Sequence, residues 1–408
     1  MHLKIIVIAL AVLGSLYSLV LSIVNMRSVN NKTPENLSDV YDTQTYEKWK
    51  KYSGEHSKLK IYSTVIGLVI TVIMLITNAH FAFASLFPAN KNWQIFAVVL
   101  LEVLVGLVAE TVESYISNMI IEQKYGFNRT SIKTFIGDVI RQTLLSFILS
   151  LAIAFLIAFS YEGINAWMIL VFVAVAFAFS LLITFLYPYL SRIGNKFTPL
   201  EDGELKDKLM ALLSKYGYKV KAIEVMEASK RTTKLNAYFT GFGKLKTIVL
   251  YDNLLNQMST GEICAVFAHE MGHGLNKDVL KNQILSVSQL TCIALLAYFA
   301  VTLKGIYLQF GFSGINYGFT YILIGIGLSV IQPLFSLISN ARSRKAEYLA
   351  DNQAVLEGYG VEMISAFKKL AKNNFSNLAP SKLNVVLQYS HPPLSERVAN
   401  VEKQLKNN

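Results

Sequence analysis

Residues 144–160 read LLSFILSLAIAFLIAFS, seventeen residues without a charge, proline or glycine. Nothing in water repays an unbroken run of this kind at the length of a helix. A bilayer does, because its ~30 Å hydrocarbon core takes ~20 helical residues. Working outward from it, the chain holds six more runs of similar character. The seven lie at about 3–24, 61–87, 93–120, 143–160, 166–189, 283–303 and 319–339. The run at 93–120 is the least uniform and carries Glu102, Glu110 and Glu113. The first run follows Lys4 like a secretion signal, but LSIVNMRS offers no small-x-small cleavage site, so it is read as a span.

Composition agrees with this. Hydrophobic residues make up 53% of 408 and charged residues only 16%, which excludes a disordered chain. The formal charge of +11 is distributed by loop. The first loop holds seven Lys or Arg (Arg27, Lys32, Lys48, Lys50, Lys51, Lys58, Lys60) and the third holds four (Lys124, Arg129, Lys133, Arg141). The alternate loops hold Lys91, none and Lys304. The positive-inside rule puts the basic loops in the cytoplasm, with the N-terminus outside and the C-terminal tail inside. No basic cluster interleaved with aromatics suggests nucleic acid. Cys264 and Cys292 read as reduced, apolar-packed residues.

The expected organisation is membrane helices 1–5 with their loops over 1–189 and a cytoplasmic segment over 190–282. Membrane helices 6–7 follow over 283–339, with a cytoplasmic tail over 340–408. The two soluble pieces are too small to stand alone and are expected to pack together. In the first, LEDGELKDKLMALLSKYGY (200–218) reads as an amphipathic helix. VKAIEVMEAS (220–229), KLNAYFTGFG (234–243) and KTIVLYDNLL (246–255) read as short strands of a hairpin or three-stranded sheet.

The chemistry concentrates at His269-Glu270-Met271-Gly272-His273, preceded by Ser259 and Glu262 in capping-box spacing. On a helix, His269 and His273 project from one face toward a single metal. Glu270 then stands beside that metal, placed to take a proton from water and return it to a leaving amine. The plain alternative is a helix with two ordinary histidines. A hydrolytic site needs a third ligand, and NARSRKAEYLADNQAVLEGYG (340–360) puts Arg344, Glu347 and Asp351 on one helix face. Glu347 can complete a His₂Glu set. Asp351 suits the free N–H of a ligating imidazole, and Arg344 could steady either carboxylate. An exposed charge pairing explains the same spacing. His80 and His56 read as satisfied or solvated residues.

HEMGH, the pattern from Asn340 to Asp351 and YSHPPLSERV from Tyr389 together resemble the zinc-type integral-membrane CAAX prenyl proteases. Further matches occur at 34–42, 121–131, 195–206 and 236–244, so the resemblance runs nearly end to end. It implies a mainly α polytopic protein in which seven transmembrane helices form a chamber. A cytoplasmic zinc protease region with a small β-sheet closes that chamber. It implies one Zn²⁺ held by His269, His273 and Glu347, Glu270 as general base, and Asp351 behind the ligands. His391 would act on the substrate backbone or oxyanion, with Arg397 nearby, and the strand Asn236, Ala237, Tyr238, Phe239, Thr240, Gly241 would bind the substrate. The expected function is a membrane zinc endopeptidase acting on prenylated CAAX proteins or in membrane-protein quality control. The alternative is a transporter or channel with a structural or vestigial zinc site. Expected partners are a peptide or prenylated protein and the bilayer, with no nucleic acid and a monomeric state. The location is the bacterial inner membrane, or the endoplasmic reticulum and nuclear envelope in a eukaryote. The short loops and the tail KQLKNN weigh toward the bacterial case.

Overall fold

The computed structural model describes residues 2–240 and 247–407. The first half is α1 (His2–Ser28), α2 (Thr43–Ile76), the short α3 (Ala79–Ala84), α4 (Lys91–Ser114), α5 (Ile132–Ile164) and α6 (Met168–Leu190). Polar caps start several of them. Asp42 accepts from Thr45 N, Asn90 from Trp93 N and Ser131 from Thr134 N, each satisfying a helix-end donor before an apolar run begins. At its end α4 widens without a break into a π-helix, Tyr115–Glu122.

Six segments among the described residues are long and apolar enough to cross a bilayer, where the sequence analysis counts seven runs. The difference lies at 132–190, which forms one segment. Only the three residues Asn165–Trp167 separate α5 from α6, Asn165 takes φ 49°, and α6 packs against α5. Two apolar runs therefore share one stretch through a tight break.

These helices, with α10 (Asp278–Thr302) and α12 (Tyr317–Leu356), surround a cavity of about 1260 Å³. Its lining has two characters. Glu102 and Glu110 of α4 and Ser146 and Ser150 of α5 give it a polar side, while Phe172, Ile293 and Ile322 are among its apolar residues. A cavity explains why carboxylates occur in an apolar run, since intramembrane acids face water or a partner. Buried His80 of α3 meets Glu102 Oε2 at 3.1 Å.

Between α6 and α10 the chain builds a four-stranded sheet of order β1-β2-β4-β3, from β1 (Phe197–Pro199), β2 (Ala222–Met226), β3 (Ala237–Thr240) and β4 (Thr247–Tyr251). β1 is the strand beyond the expected three. It has three residues and ends in Pro199, too short for an alternating signal and suited only to an edge. β2 and β4 are parallel, and β3 is antiparallel to β4 with Ala237 opposite Leu250. α7 (Glu204–Lys215), α8 (Asp252–Gln257) and α9 (Thr260–Leu275) accompany the sheet. After α10 come the short α11 (Gly305–Gln309) and α12, then α13 (Gly360–Asn373), α14 (Lys382–Gln388) and α15 (Leu394–Asn407). α9 lies at the centre of the soluble part. Ile263, Cys264 and Phe267 join the core of the sheet and α7, while Ala265 and Ala268 join the core of α12, α13 and α15. The two soluble pieces are thus one body around α9.

Candidate metal centre

α9 is fixed from its first turn. Ser259 accepts from Glu262 N, the Glu262 carboxylate returns to Ser259 N, and Ser365 and Lys369 of α13 donate to the same carboxylate. Further along, Gly272 lets α9 press on α12. A Cβ there would lie 2.9 Å from Ala350 Cα, closer than real side-chain contacts allow. This crossing brings the ligand-bearing faces together. The His269 and His273 rings stand 4.8 Å apart and nearly perpendicular.

Glu347, only 4% exposed, enters from α12. Its Oε2 lies 3.6 Å from His269 Nε2, and its Oε1 lies 3.4 Å from His273 Nε2. One donor atom from each of the three residues falls within 4.8 Å of the others. The set fits a divalent cation on two observations. Glu347 Oε2 is buried without a hydrogen-bond partner, and each imidazole has its other nitrogen engaged, leaving Nε2 directed inward.

The outer contacts are asymmetric. His269 Nδ1 lies 2.9 Å from Asp351 Oδ1, on the same helix as Glu347. Arg397 of α15 grips Asp351 with two bonds, Nη2 to Oδ1 at 2.6 Å and Nε to Oδ2 at 3.0 Å. Its Nη1 is 3.2 Å from Glu347 Oε2, and its guanidinium lies over the Phe367 ring at 4.3 Å. His273 Nδ1 instead meets Asp278 Oδ2 at 2.9 Å, from the first residue of α10. The sequence reading missed Asp278. Its signal is faint, an acid five residues past the second histidine. Lys277, with φ 56°, turns the chain between the two helices and so returns Asp278 toward His273.

Arg344 does not serve as the sequence reading placed it. It donates through Nη1 to Val385 O at 2.9 Å and Tyr389 O at 2.8 Å, and so holds the segment that leads to His391. Helical side chains lean toward the N-terminus, which carries Arg344 away from Glu347 and Asp351 further along α12. Arg397 makes the carboxylate contacts instead. His391 Nε2 is 3.2 Å from Glu347 Oε1 with its ring 62% exposed, so it stands at the open mouth of the cluster. Glu270 is half-buried beside the two histidines. Withdrawal from water raises its carboxyl above the ordinary value, and the neighbouring His269 and His273 partly oppose the rise. For His273, burial works against the charged ring, but hydrogen bonds to Glu347 and Asp278 outweigh it and bring the pKa to about 9.

β3 lies at the edge of the sheet and packs against α9. Asn236 O accepts from Tyr251 N at 3.1 Å, Ala237 joins the α9 core, and Tyr238 faces the opposite side with Met226 and Val249. Phe239 and Thr240 complete the strand. Gly241 lies outside the described residues.

Residues 199–405 match Peptidase family M48. The chain belongs to this family. Residues 22–192 of this M48 member match the CAAX prenyl protease N-terminal region of five membrane helices. Over 428 residues it is 33% identical to a CAAX prenyl protease 1 homolog of Dictyostelium discoideum, covering 98% of this chain and 97% of that one. Over 416 residues it is 31% identical to CAAX prenyl protease 1 of Saccharomyces cerevisiae, covering 91% and 88%. The crystal structure of S. mikatae Ste24p superposes with a TM-score of 0.90 at 26% identity, covering 98% of this chain and 99% of that one. The M48 member is a membrane metalloprotease, and the transporter reading is not favoured.

Proposed function

We propose that this chain is a zinc-dependent endopeptidase that cleaves near the C-terminus of prenylated CAAX proteins, or degrades membrane proteins with the same machinery. The observation that carries the reading is the convergence of His269, His273 and Glu347 from α9 and α12, with donor atoms within 4.8 Å. Two imidazoles and one carboxylate are a donor set suited to a single Zn²⁺ with one position left open. When bound, the ion supplies Lewis acidity toward water and the scissile carbonyl.

The chain's own residues do the rest. Glu270 takes a proton from the attacking water and passes it to the departing nitrogen. Its burial supports this, because a raised carboxyl pKa brings acid and base forms nearer to neutral pH. His391, exposed at the mouth, donates to the oxyanion that forms on the scissile carbonyl. Arg397 holds Asp351, and Asp351 holds His269 in the tautomer that presents Nε2. The substrate adds to the outer edge of β3 by main-chain hydrogen bonds, which align Asn236 to Thr240 with the peptide. α12 lines the cavity at Ser329 and carries Glu347 further along, so an isoprenoid tail can occupy the cavity while its peptide reaches the ligands. The catalytic face is cytoplasmic. The membrane is the bacterial inner membrane, or the endoplasmic reticulum and nuclear envelope in a eukaryote.

The test is incubation of the purified protein with a farnesylated CAAX peptide and its unprenylated control, with and without a chelator. Chelator-sensitive cleavage supports the peptidase. Preference between the peptides decides for or against prenyl recognition, and no cleavage of either would falsify the CAAX reading.

A further inference from the structure

Residues 231–235, which lead into β3, are held by residues outside the candidate metal set. Arg231 O accepts from Arg129 N at 3.0 Å, Thr233 N donates to Phe127 O at 3.1 Å, and Thr232 bridges to Asn128. Asn374 clamps Leu235 from both sides, its Oδ1 accepting from Leu235 N and its Nδ2 donating to Leu235 O. At the centre stands Lys234. Its Nζ donates to Glu122 Oε1 at 2.9 Å and to Tyr52 OH at 3.1 Å, and Tyr52 OH donates to the same Glu122 oxygen at 2.7 Å. Lys234 also lies over the Phe127 ring at 5.0 Å. Glu122 is the last residue of the π-helix, which continues α4 and its cavity-lining Glu110 and Ser114. π-helices are rare and recur at functional sites.

We infer that Glu122 and Lys234 form a positioning contact that sets the edge strand β3 against α9 and ties it to the cavity wall. This rests on the reading of β3 as the substrate edge. The physical reason is geometric. Lys234 lies three residues before the strand, so a shift at its ammonium passes with little slack to Ala237. A π-turn holds one more residue per hydrogen-bonded ring than an α-turn, so its last side chain is aimed differently from that of a continued α-helix. Tyr52 of α2 closes the triangle, so the strand root is referred to two membrane helices at once. A main-chain edge gives its partner only as good a register as its own.

The experiment uses full-length, metal-loaded Lys234→Met, Glu122→Gln and Lys234→Arg. Amide exchange over residues 231–240 is followed without substrate, and KM and kcat are measured on a cleaved peptide. We expect the first two variants to exchange about tenfold faster in that stretch only. Their KM should rise about tenfold or more with kcat within about twofold, because the misplacement acts before chemistry. Lys234→Arg, which keeps the cation, should stay near the parent in both readouts. Unchanged exchange or unchanged KM in Lys234→Met overturns the proposal. So does faster exchange throughout α9 and the sheet with loss of metal, which marks a general folding contact. Exchange is read without turnover, so a parent protein that cleaves no peptide refutes the peptidase reading while this contact is still decided.

Discussion

Asp278, the first residue of α10, meets Nδ1 of His273 at 2.9 Å and is itself 8% exposed. The two imidazoles of the candidate metal set are therefore oriented by carboxylates from different helices, Asp351 for His269 and Asp278 for His273. Partners of this kind fix the tautomer and raise ligand basicity. Asp278→Asn should weaken metal binding about 10- to 100-fold, measured by competition against a chromophoric chelator. An unchanged affinity would show that His273 needs no such partner.

Glu270→Gln should abolish proteolysis and keep the metal at the parent's content. Removing a general base costs about 10²–10⁴-fold in rate, because proton transfer then falls to water. Single-turnover assays with elemental analysis on the same sample separate the two effects. Parent-like cleavage would remove Glu270 from the base role.

Glu347→Ala should leave bound metal well below the content of the parent. The side chain is buried and its two oxygens face His269 Nε2 and His273 Nε2, so its loss removes one of the three donors. Full occupancy by elemental analysis would exclude Glu347 as a ligand.

His273 sets a pH dependence for the metal. With its pKa raised to about 9, it carries a proton at neutral pH in the metal-free protein. Binding must expel that proton, so affinity should fall about tenfold per unit as pH drops below about 9. Calorimetry in two buffers of different ionisation heat should show close to one proton released per ion near pH 7. Stability of the metal-free protein runs the other way. The folded value exceeds the ordinary 6.5, so the contribution is complete below that pH and is lost as pH rises through 9. Chemical denaturation of the chelated protein across this window checks the sign.

Gly272→Ala should damage the site without touching a ligand. The added methyl meets Ala350 Cα at 2.9 Å and Gln353 Cβ at 3.1 Å, and backbone cannot turn aside as a side chain can. Overpacking of this kind costs about 1–3 kcal/mol. Because the clash forces α9 from α12, metal affinity should fall with it. Thermal unfolding and a chelator titration measure both losses, and a variant equal to the parent in both removes the close crossing as a requirement.

What could be read along the chain was whatever depends on local spacing. Ser259 and Glu262 announce the start of α9, and the charge-free run at 144–160 lies within α5. His269 and His273 share a face because four residues nearly complete a helical turn. What could not be read was set by approach in space. Asp278 follows a left-handed turn at Lys277 that no pattern requires. Arg344 shares a face with Asp351, yet the lean of its side chain sends it to Val385 and Tyr389. The resemblance put Arg397 near the site, but its two-bond grip on Asp351 joins residues 46 apart in sequence. The count of membrane segments differs only at 132–190, where two runs read separately along the chain form one stretch broken at Asn165–Trp167.

Tyr321 and Glu347 belong to the same helix, α12, with Pro333 between them, one in the cavity lining and the other in the candidate metal set. At ~1.5 Å of rise per residue they lie roughly 39 Å apart along its axis. A rod of that length amplifies angle. Pivoting about 5° near Tyr321 would displace the carboxylate by about 3 Å, nearly the spacing between Glu347 and its histidines. A change in the cavity walls that tilts α12 would therefore reach Glu347 without any loop having to move.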